Sequence, residues 1–258
     1  MIFSNTKRLL FAATISAVLS ACGGGGDDAG GPPAALTLQG VWDTTLSPSG
    51  DEGGVVVLED GSFWAFSGDP QSSTIDTLYQ GTVSVTGNAL SSSNLRAYAL
   101  GTGAFVDVTN VSGTLAVNSF SLNATASGAV TAVAGTRSPA DASYDFDTPA
   151  QLADIQGSWT GAFSTGDNGT VTVQANGSFS STTSAGCSFT GSATPRASGK
   201  NVFNVTLTFG PAPCLLPNTS GSGVALASKA TATGPAVLIV MATTPTRNAA
   251  ALYLALKQ

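Results

Sequence analysis

The chain has 258 residues, of which 31 are glycine and only 9% are charged, and it contains no histidine. Cytosolic enzymes usually carry about 25% charged residues, and histidine is the commonest general base and transition-metal ligand, so this composition excludes most familiar hydrolase and metalloenzyme mechanisms. The formal net charge of −6 argues against a nucleic-acid partner, which needs a basic surface.

The chain begins with a predicted secretory signal peptide, residues 1–21. Lys7 and Arg8 form its basic start, and an apolar run follows over Leu9–Leu19, as such signals require. That run is too short for a transmembrane helix, which needs roughly 20 apolar residues. It leads into the sequence LSAC, Leu19–Cys22, which resembles the lipobox of bacterial lipoproteins.

This resemblance implies a role for Cys22. In lipobox proteins the cysteine is lipidated on sulfur, becomes the mature N-terminus and is usually acylated, commonly with palmitate, on its amine. Several acyl chains on one residue exceed the two signals that stable anchoring requires. Gly23 stands where an aspartate favours inner-membrane retention, so the resemblance implies the outer membrane, with the periplasmic or surface-facing side left open. The alternative is an ordinary signal peptide with a chance cysteine.

Residues 22–37 are predicted to form a Gly-rich tether, because their composition cannot bury a core. Two copies of one module follow, over residues 38–147 and 155–258, separated by a linker of residues 148–154. Both copies contain Q-G-x-W, a Gly-rich turn, a valine run and then (D/N)-G-S-F. The same order of motifs in both copies favours duplication of a single module.

Each copy alternates apolar and polar residues, which is typical of half-buried strands. Asp60-Gly61 and Asn176-Gly177 lie between apolar runs and predict type I′ hairpin turns. Eight consecutive strands with short connections favour a closed up-and-down antiparallel barrel in each copy; an immunoglobulin-like sandwich is the alternative. In the second copy the predicted strands lie near 156–163, 169–175, 177–183, 186–194, 201–208, 222–230, 236–242 and 250–256.

Each copy starts with a G-x-W motif that resembles the beginning of lipocalin and calycin barrels. The two motifs are Gly40-Val41-Trp42 and Gly157-Ser158-Trp159. In that family the tryptophan closes the barrel floor, and a cation from near the last strand packs across it. Arg137 and Arg247, which match at an offset of 110, are therefore the predicted cations.

Cys187 and Cys214 are both absent from the equivalent positions of the first copy, Thr77 and Ala104. Joint absence is expected of a bonded pair, and a lipid on Cys22 leaves an even number of cysteines in an oxidising compartment. The sequence therefore predicts a disulfide between them, with two free buried thiols as the alternative. A metal site is excluded because neither histidine nor a third nearby ligand is present.

The two copies differ in charge. Between Asp43 and Asp147 there are 11 acidic and 2 basic residues, whereas from Ile155 to the end there are 1 acidic and 5 basic residues. Opposite fields are able to dock the two modules or to orient the molecule beside a charged surface. Drift of surface residues after duplication is the alternative.

Taken together, these features are similar in layout to the two-lobed surface lipoproteins of Gram-negative bacteria, such as the transferrin-binding and factor-H-binding proteins. The resulting hypothesis is a non-enzymatic outer-membrane lipoprotein that binds a macromolecule or a small apolar ligand. A structural or assembly accessory of the envelope is the alternative. No cofactor beyond the covalent lipid on Cys22 is expected, and the oligomeric state is left open.

Overall fold

The computed structural model describes residues 36–72, 74–232 and 234–258. Cys22, the predicted signal peptide and most of the predicted tether lie outside the described residues. The described chain is all-β apart from one short helix and forms two closed antiparallel barrels of eight strands each. The predicted fold class is confirmed, and the sandwich alternative is wrong because both sheets close on themselves.

Barrel 1 closes where β8 pairs with β9, and its remaining strands follow the order β7-β4-β3-β2-β1-β10. β5 and β6 form an additional hairpin between β4 and β7, which the repeat comparison did not predict, and β6 pairs with β8. The strands are β1 (Gly40–Ser47), β2 (Glu52–Val57), β3 (Ser62–Gly68), β4 (Thr77–Thr82), β5 (Ser84–Thr86), β6 (Ala89–Ser92), β7 (Arg96–Ala99), β8 (Ala104–Leu115), β9 (Ser119–Ala126) and β10 (Ala129–Arg137).

Barrel 2 is a simple up-and-down barrel in which each strand pairs with the next and the last pairs with the first. All eight predicted strands are present, with ends that differ by at most three residues. Its strands are β11 (Gly157–Phe163), β12 (Asn168–Val173), β13 (Ser178–Thr182), β14 (Ser188–Pro195), β15 (Phe203–Phe209), β16 (Ser220–Ala227), β17 (Val237–Thr243) and β18 (Ala250–Lys257).

The predicted type I′ turns at Asp60-Gly61 and Asn176-Gly177 are wrong. In each pair only the glycine has a positive φ, 77° and 82° respectively, whereas a type I′ turn needs positive φ at both positions. The Asp60 carboxylate instead accepts a hydrogen bond from the Ser62 backbone amide at 2.9 Å. The Asn176 side-chain oxygen likewise accepts one from the Ser178 backbone amide at 3.0 Å. These side chains hold the turn through Asx contacts, so positive φ is needed only at the glycine.

The segment between the barrels packs against barrel 2. The Tyr144 hydroxyl donates a hydrogen bond to the Asn201 backbone carbonyl at 2.6 Å, and the Asn201 backbone amide donates one to the Phe146 backbone carbonyl at 2.9 Å. One short helix, α1 (Leu152–Ile155), with Gln151 as its N-cap, lies at the end of this segment.

The two barrels contact each other through apolar outer faces. β2, β3, β4 and β7 of barrel 1 pack against β16, β17 and β18 of barrel 2 around Met241, which is 2% exposed. At the rim, the Arg196 guanidinium pairs with the carboxylates of Glu59 and Asp60, each at 2.7 Å. A basic side chain of the second module thus docks on the acidic first module, as the charge asymmetry suggested. The buried side chains at the contact are Val56, Leu58, Trp64, Leu78, Tyr98, Leu100, Val202, Val224, Met241 and Leu252.

Candidate ligand-binding site

A tryptophan and an arginine form the floor of barrel 1. Trp42 is fully buried, and its indole Nε1 donates to the Leu38 carbonyl at 2.8 Å. The Arg137 guanidinium lies 4.2 Å from the Trp42 ring centroid and donates to the Gln39 carbonyl at 2.8 Å. Gly40 has a φ of 138°, and a Cβ atom there would overlap the guanidinium. The glycine of G-x-W thus leaves room for the cation, and Arg137 occupies its predicted place.

The floor of barrel 2 has the same design with a different cation. Trp159 is fully buried, and its indole Nε1 donates to the Ile155 carbonyl at 2.7 Å. The Lys257 ammonium lies 5.3 Å from the Trp159 ring centroid, and Gly157 again has a positive φ, 115°. The prediction that Arg247 packs across Trp159 is therefore wrong. Lys257 pairs with this tryptophan in the β11–β18 ladder, as the arginine of barrel 1 does with its own.

Different loop lengths in the two barrels explain why the constant sequence offset of 110 residues misplaced Arg247. The loops on either side of β17, residues 228–236 and 244–249, have nine and six residues. Their counterparts around β9, residues 116–118 and 127–128, have three and two residues. Arg247 lies within the six-residue loop between β17 and β18. The constant offset of 110 therefore matched it to Arg137, although the two arginines occupy different places in their barrels.

Arg247 instead joins the two barrels. Its Nη2 donates to the carbonyls of Gln80 at 2.6 Å and Asn94 at 2.7 Å. Its own carbonyl accepts hydrogen bonds from the Tyr98 hydroxyl, at 3.0 Å, and from the Arg96 guanidinium. The residue is therefore part of the contact between barrels and not of a barrel floor.

Barrel 1 encloses an apolar cavity of about 320 Å³, within the size range of small-molecule sites. Trp42 closes one end, where Leu90 of the β5–β6 hairpin belongs to the same buried cluster. At the opposite end Val106, which lines the cavity, is 41% exposed, so the cavity reaches solvent there. Six of its lining side chains are alanines: Ala65, Ala97, Ala99, Ala104, Ala124 and Ala126.

Barrel 2 is filled by aromatic rings, and the corresponding cavity is only about 70 Å³. Phe163 stacks on Tyr253 with ring centroids 4.4 Å apart. Phe189 meets Phe163 edge-on at 5.3 Å and also contacts Phe209 at 6.1 Å and Phe179 at 6.4 Å. These rings occupy the space that remains open in barrel 1.

Strand register locates the first difference between the two interiors. Tyr79 of β4 pairs with Ala97 of β7, and the equivalent pair in barrel 2 is Phe189 with Phe209. Three of the four positions carry an aromatic ring. Ala97 is the exception, and it leaves room beside Tyr79.

A second cross-strand pair also has smaller side chains in barrel 1 than in barrel 2. Leu46 of β1 pairs with Val133 of β10, whereas the equivalent pair in barrel 2 is Phe163 with Tyr253. Two stacked rings are thus replaced by two aliphatic side chains. Together the two pairs account for much of the difference in cavity volume.

The polar groups of the cavity wall are hydroxyls. The Ser67 Oγ, on a residue that is 2% exposed, lies 3.3 Å from the Tyr79 hydroxyl. Burial raises the pKa of Tyr79, so the phenol is a neutral donor at ordinary pH. The Ser92 Oγ also lines the cavity, is buried and has no hydrogen-bond partner within the described ranges.

Among the residues that the structure describes, no charged side chain lines the cavity. The sequence of the first module contains only two basic residues, Arg96 and Arg137. Arg96 pairs with the Asp107 carboxylate at 2.7 Å, and Arg137 packs on the floor tryptophan. Neither cation is available to neutralise an anion inside the barrel.

Cys187 and Cys214 form a disulfide, so the alternative of two free thiols is wrong. Cys187 lies in the loop before β14 and Cys214 in the loop between β15 and β16. The bond joins two loops at the end of barrel 2 that lies opposite the floor tryptophan. It belongs to the framework of the barrel, at a distance from the barrel 1 cavity.

Two features are absent from the described part of the chain. No group of three or more His, Cys, Asp or Glu side chains there is arranged to hold a metal ion. Within the same residues, no helix combines the length and hydropathy that crossing a bilayer requires.

Comparison with known proteins identifies no family. No family model matches the sequence, and no curated protein matches it. Among solved structures, transferrin binding protein B from serogroup B Neisseria meningitidis is similar, with a TM-score of 0.28 and 11% identity. A mutant of transferrin binding protein B from Haemophilus parasuis gives 0.26 and 9%. Each comparison covers 81% of this chain and 66% of the other chain, so this chain spans just under two thirds of those proteins.

The cavity residues were missed in the sequence, although a signal for them was present. Alanines alternate with polar or outward-facing residues at Ala97 and Ala99 in β7, and at Ala124 and Ala126 in β9. The same period-two positions in barrel 2 include phenylalanines, as in β15. Small side chains on the inward face of two strands indicate a barrel that its own residues do not fill.

Proposed function

We propose that this protein is an outer-membrane lipoprotein whose first barrel binds a small apolar molecule. The observation that carries the proposal is the apolar cavity of about 320 Å³ in barrel 1. Sites for small molecules are concave, mostly apolar and furnished with a few polar groups. The cavity has these properties, with hydroxyls from Ser67, Tyr79 and Ser92.

The contrast between the barrels supports a binding role for the cavity. An empty apolar space forfeits the dispersion contacts of its lining and lowers stability as its volume grows. Barrel 2 shows that this fold accommodates Phe209 at the position equivalent to Ala97. An apolar ligand restores to barrel 1 the contacts that aromatic rings supply in barrel 2.

The proposed membrane anchor has a separate basis. It depends on the LSAC sequence that ends at Cys22 and on the Gly-rich residues that follow. A tether of that composition lets the barrels stand away from a bilayer.

Dye binding tests the cavity directly. Ala97→Phe places a ring where barrel 2 has Phe209, so we expect at least a tenfold loss of affinity for an uncharged environment-sensitive dye such as Nile red. The matched control is Ala132→Phe, since Ala132 is exposed on the outer face of β10. Fluorescence titration of the three full-length proteins, each checked by circular dichroism, gives the comparison.

The proposal fails if the wild-type protein does not bind the dye, or if Ala97→Phe binds it as well as Ala132→Phe does. Absence of binding would favour a structural role in the envelope, or a protein partner that docks outside the barrel.

A further inference from the structure

The chemical class of the ligand follows from the charges around the cavity, provided that the proposed function holds. We infer that barrel 1 selects an uncharged apolar molecule carrying a hydroxyl or carbonyl group, and that it rejects carboxylates and other anions. Alcohols and esters of long-chain lipids belong to this class, whereas free fatty acids do not.

The described part of the cavity wall provides no cation to neutralise an anion, because no lysine or arginine of residues 36–72, 74–232 or 234–258 lines it. The guanidinium of Arg96 is held outside the barrel by Asp107 and by the Arg247 carbonyl, and that of Arg137 lies beyond the floor tryptophan, bound to the carbonyls of Gln39 and Thr37. Burying a carboxylate without a paired cation is strongly unfavourable.

The open end of barrel 1 also disfavours anions. The connections at this end are residues 48–51, 69–76, 100–103 and 127–128. Their sequence contains three aspartates, at positions 51, 69 and 76, and no lysine or arginine. A negatively charged ligand therefore meets like charge at the end of the barrel that, within the described residues, the floor residues and the β5–β6 hairpin leave uncovered. Like charge lowers the local concentration of the ligand.

The wall does provide neutral hydrogen-bonding groups. Ser67 and Tyr79 bond to each other, and each hydroxyl retains further donor or acceptor capacity. Ser92 lies on the wall of the same cavity, on β6, and its buried Oγ has no partner among the residues that the structure describes. A hydroxyl or carbonyl on the ligand satisfies such a group, and leaving it unsatisfied in an apolar site is costly.

Displacement of bound Nile red by a matched series tests this inference in the full-length protein. The probes are 1-decanol, methyl decanoate and decanoate at pH 8. The alcohol and the ester are kept below their solubility limits, and decanoate is kept below its critical micelle concentration. We expect the alcohol and the ester to displace the dye at concentrations at least tenfold lower than decanoate does. Equal displacement by decanoate would overturn the inference, as would bound dye that none of the three displaces. If no dye binds at all, the proposed function itself fails.

Ser92→Ala identifies the polar contact. Removing this hydroxyl is expected to weaken the binding of 1-decanol by about three- to tenfold, the range for one hydrogen bond. Because Nile red itself carries a carbonyl group, its affinity is titrated for each variant first, and the displacement curves are converted to 1-decanol affinities with that value. Ser91→Ala is the matched control, because Ser91 is exposed on the same strand and its hydroxyl bonds to Ser84. Equal 1-decanol displacement in both variants would overturn the Ser92 contact.

Discussion

At the residue scale, the Tyr253 hydroxyl links three strands of barrel 2. It donates to the Trp159 carbonyl at 2.6 Å and contacts the Gly169 carbonyl at 3.1 Å, while its ring stacks on Phe163. Because the residue is 5% exposed, removal of the hydroxyl takes a buried hydrogen bond away from the Trp159 carbonyl. Tyr253→Phe is expected to lower the free energy of unfolding by about 1–2 kcal/mol at pH 7, as measured by chemical denaturation.

The same residue predicts a pH dependence. Burial raises the pKa of Tyr253 from 10.0 to about 12, so the unfolded chain loses this proton at lower pH than the folded one. The stability that the neutral phenol provides is complete below pH 10 and is lost as the pH rises towards 12. Since the other tyrosines are present in both proteins, unfolding free energies between pH 9 and pH 12 are expected to fall more steeply for the wild type than for Tyr253→Phe. Parallel curves would contradict this.

At the element scale, β15 and β7 carry one of the two strand-pair differences that fill barrel 2 and leave barrel 1 open. Phe209 of β15 occupies the position that Ala97 occupies in β7. Because Phe209 is partly buried against the core, Phe209→Ala is expected to cost about 2–3 kcal/mol, at or below the lower end of the range for buried phenylalanines, and to open a second dye site in barrel 2. Thr208→Ala, on the exposed face of the same strand, is the control and is expected to change stability by less than about 1 kcal/mol. Chemical denaturation measures the stability, and dye titration measures the number of bound dye molecules per chain, which is expected to rise from one to two. An unchanged number would contradict the claim that Phe209 fills barrel 2.

The strands themselves were predictable because their signal is local. In β15, Phe203, Val205 and Leu207 are buried while Asn204 and Thr206 are exposed, as period-two alternation indicates. The β5–β6 hairpin was not predictable from the repeat, because it exists in one copy only and pairs with a distant strand. The element count was therefore recovered for barrel 2 and underestimated for barrel 1.

Local sequence pattern also could not predict whether side chains fill the interior of each barrel. Whether Tyr79 faces a ring or a methyl group depends on its partner across the ladder, Ala97, and that register depends on loop lengths. The same dependence misplaced Arg247, which loop insertions moved away from Trp159. Sequence alternation assigns a residue to the inside or the outside, but cross-strand neighbours decide how much space remains.

At the scale of the whole molecule, the described chain is a pair of barrels joined by an apolar contact and by Arg196 and Arg247. The proposed anchor lies outside this part. If Cys22 carries lipid, Cys22→Ala is expected to move the protein from the membrane fraction to the soluble envelope fraction. Fractionation with immunoblotting measures this, and Thr37→Ala, in the segment between the anchor and barrel 1, is the control. A variant that stays in the membrane fraction would contradict the anchor.

The central claim is that barrel 1 carries a small uncharged molecule in the space that aromatic rings fill in barrel 2. Native mass spectrometry of the protein purified from its own cells tests it most directly, with Ala97→Phe purified in parallel. The wild-type protein is predicted to carry one additional noncovalent mass per chain, which denaturation releases, whereas the variant carries none and both retain any covalent lipid. A wild-type protein without the additional mass, or the same mass on both proteins, would contradict the claim.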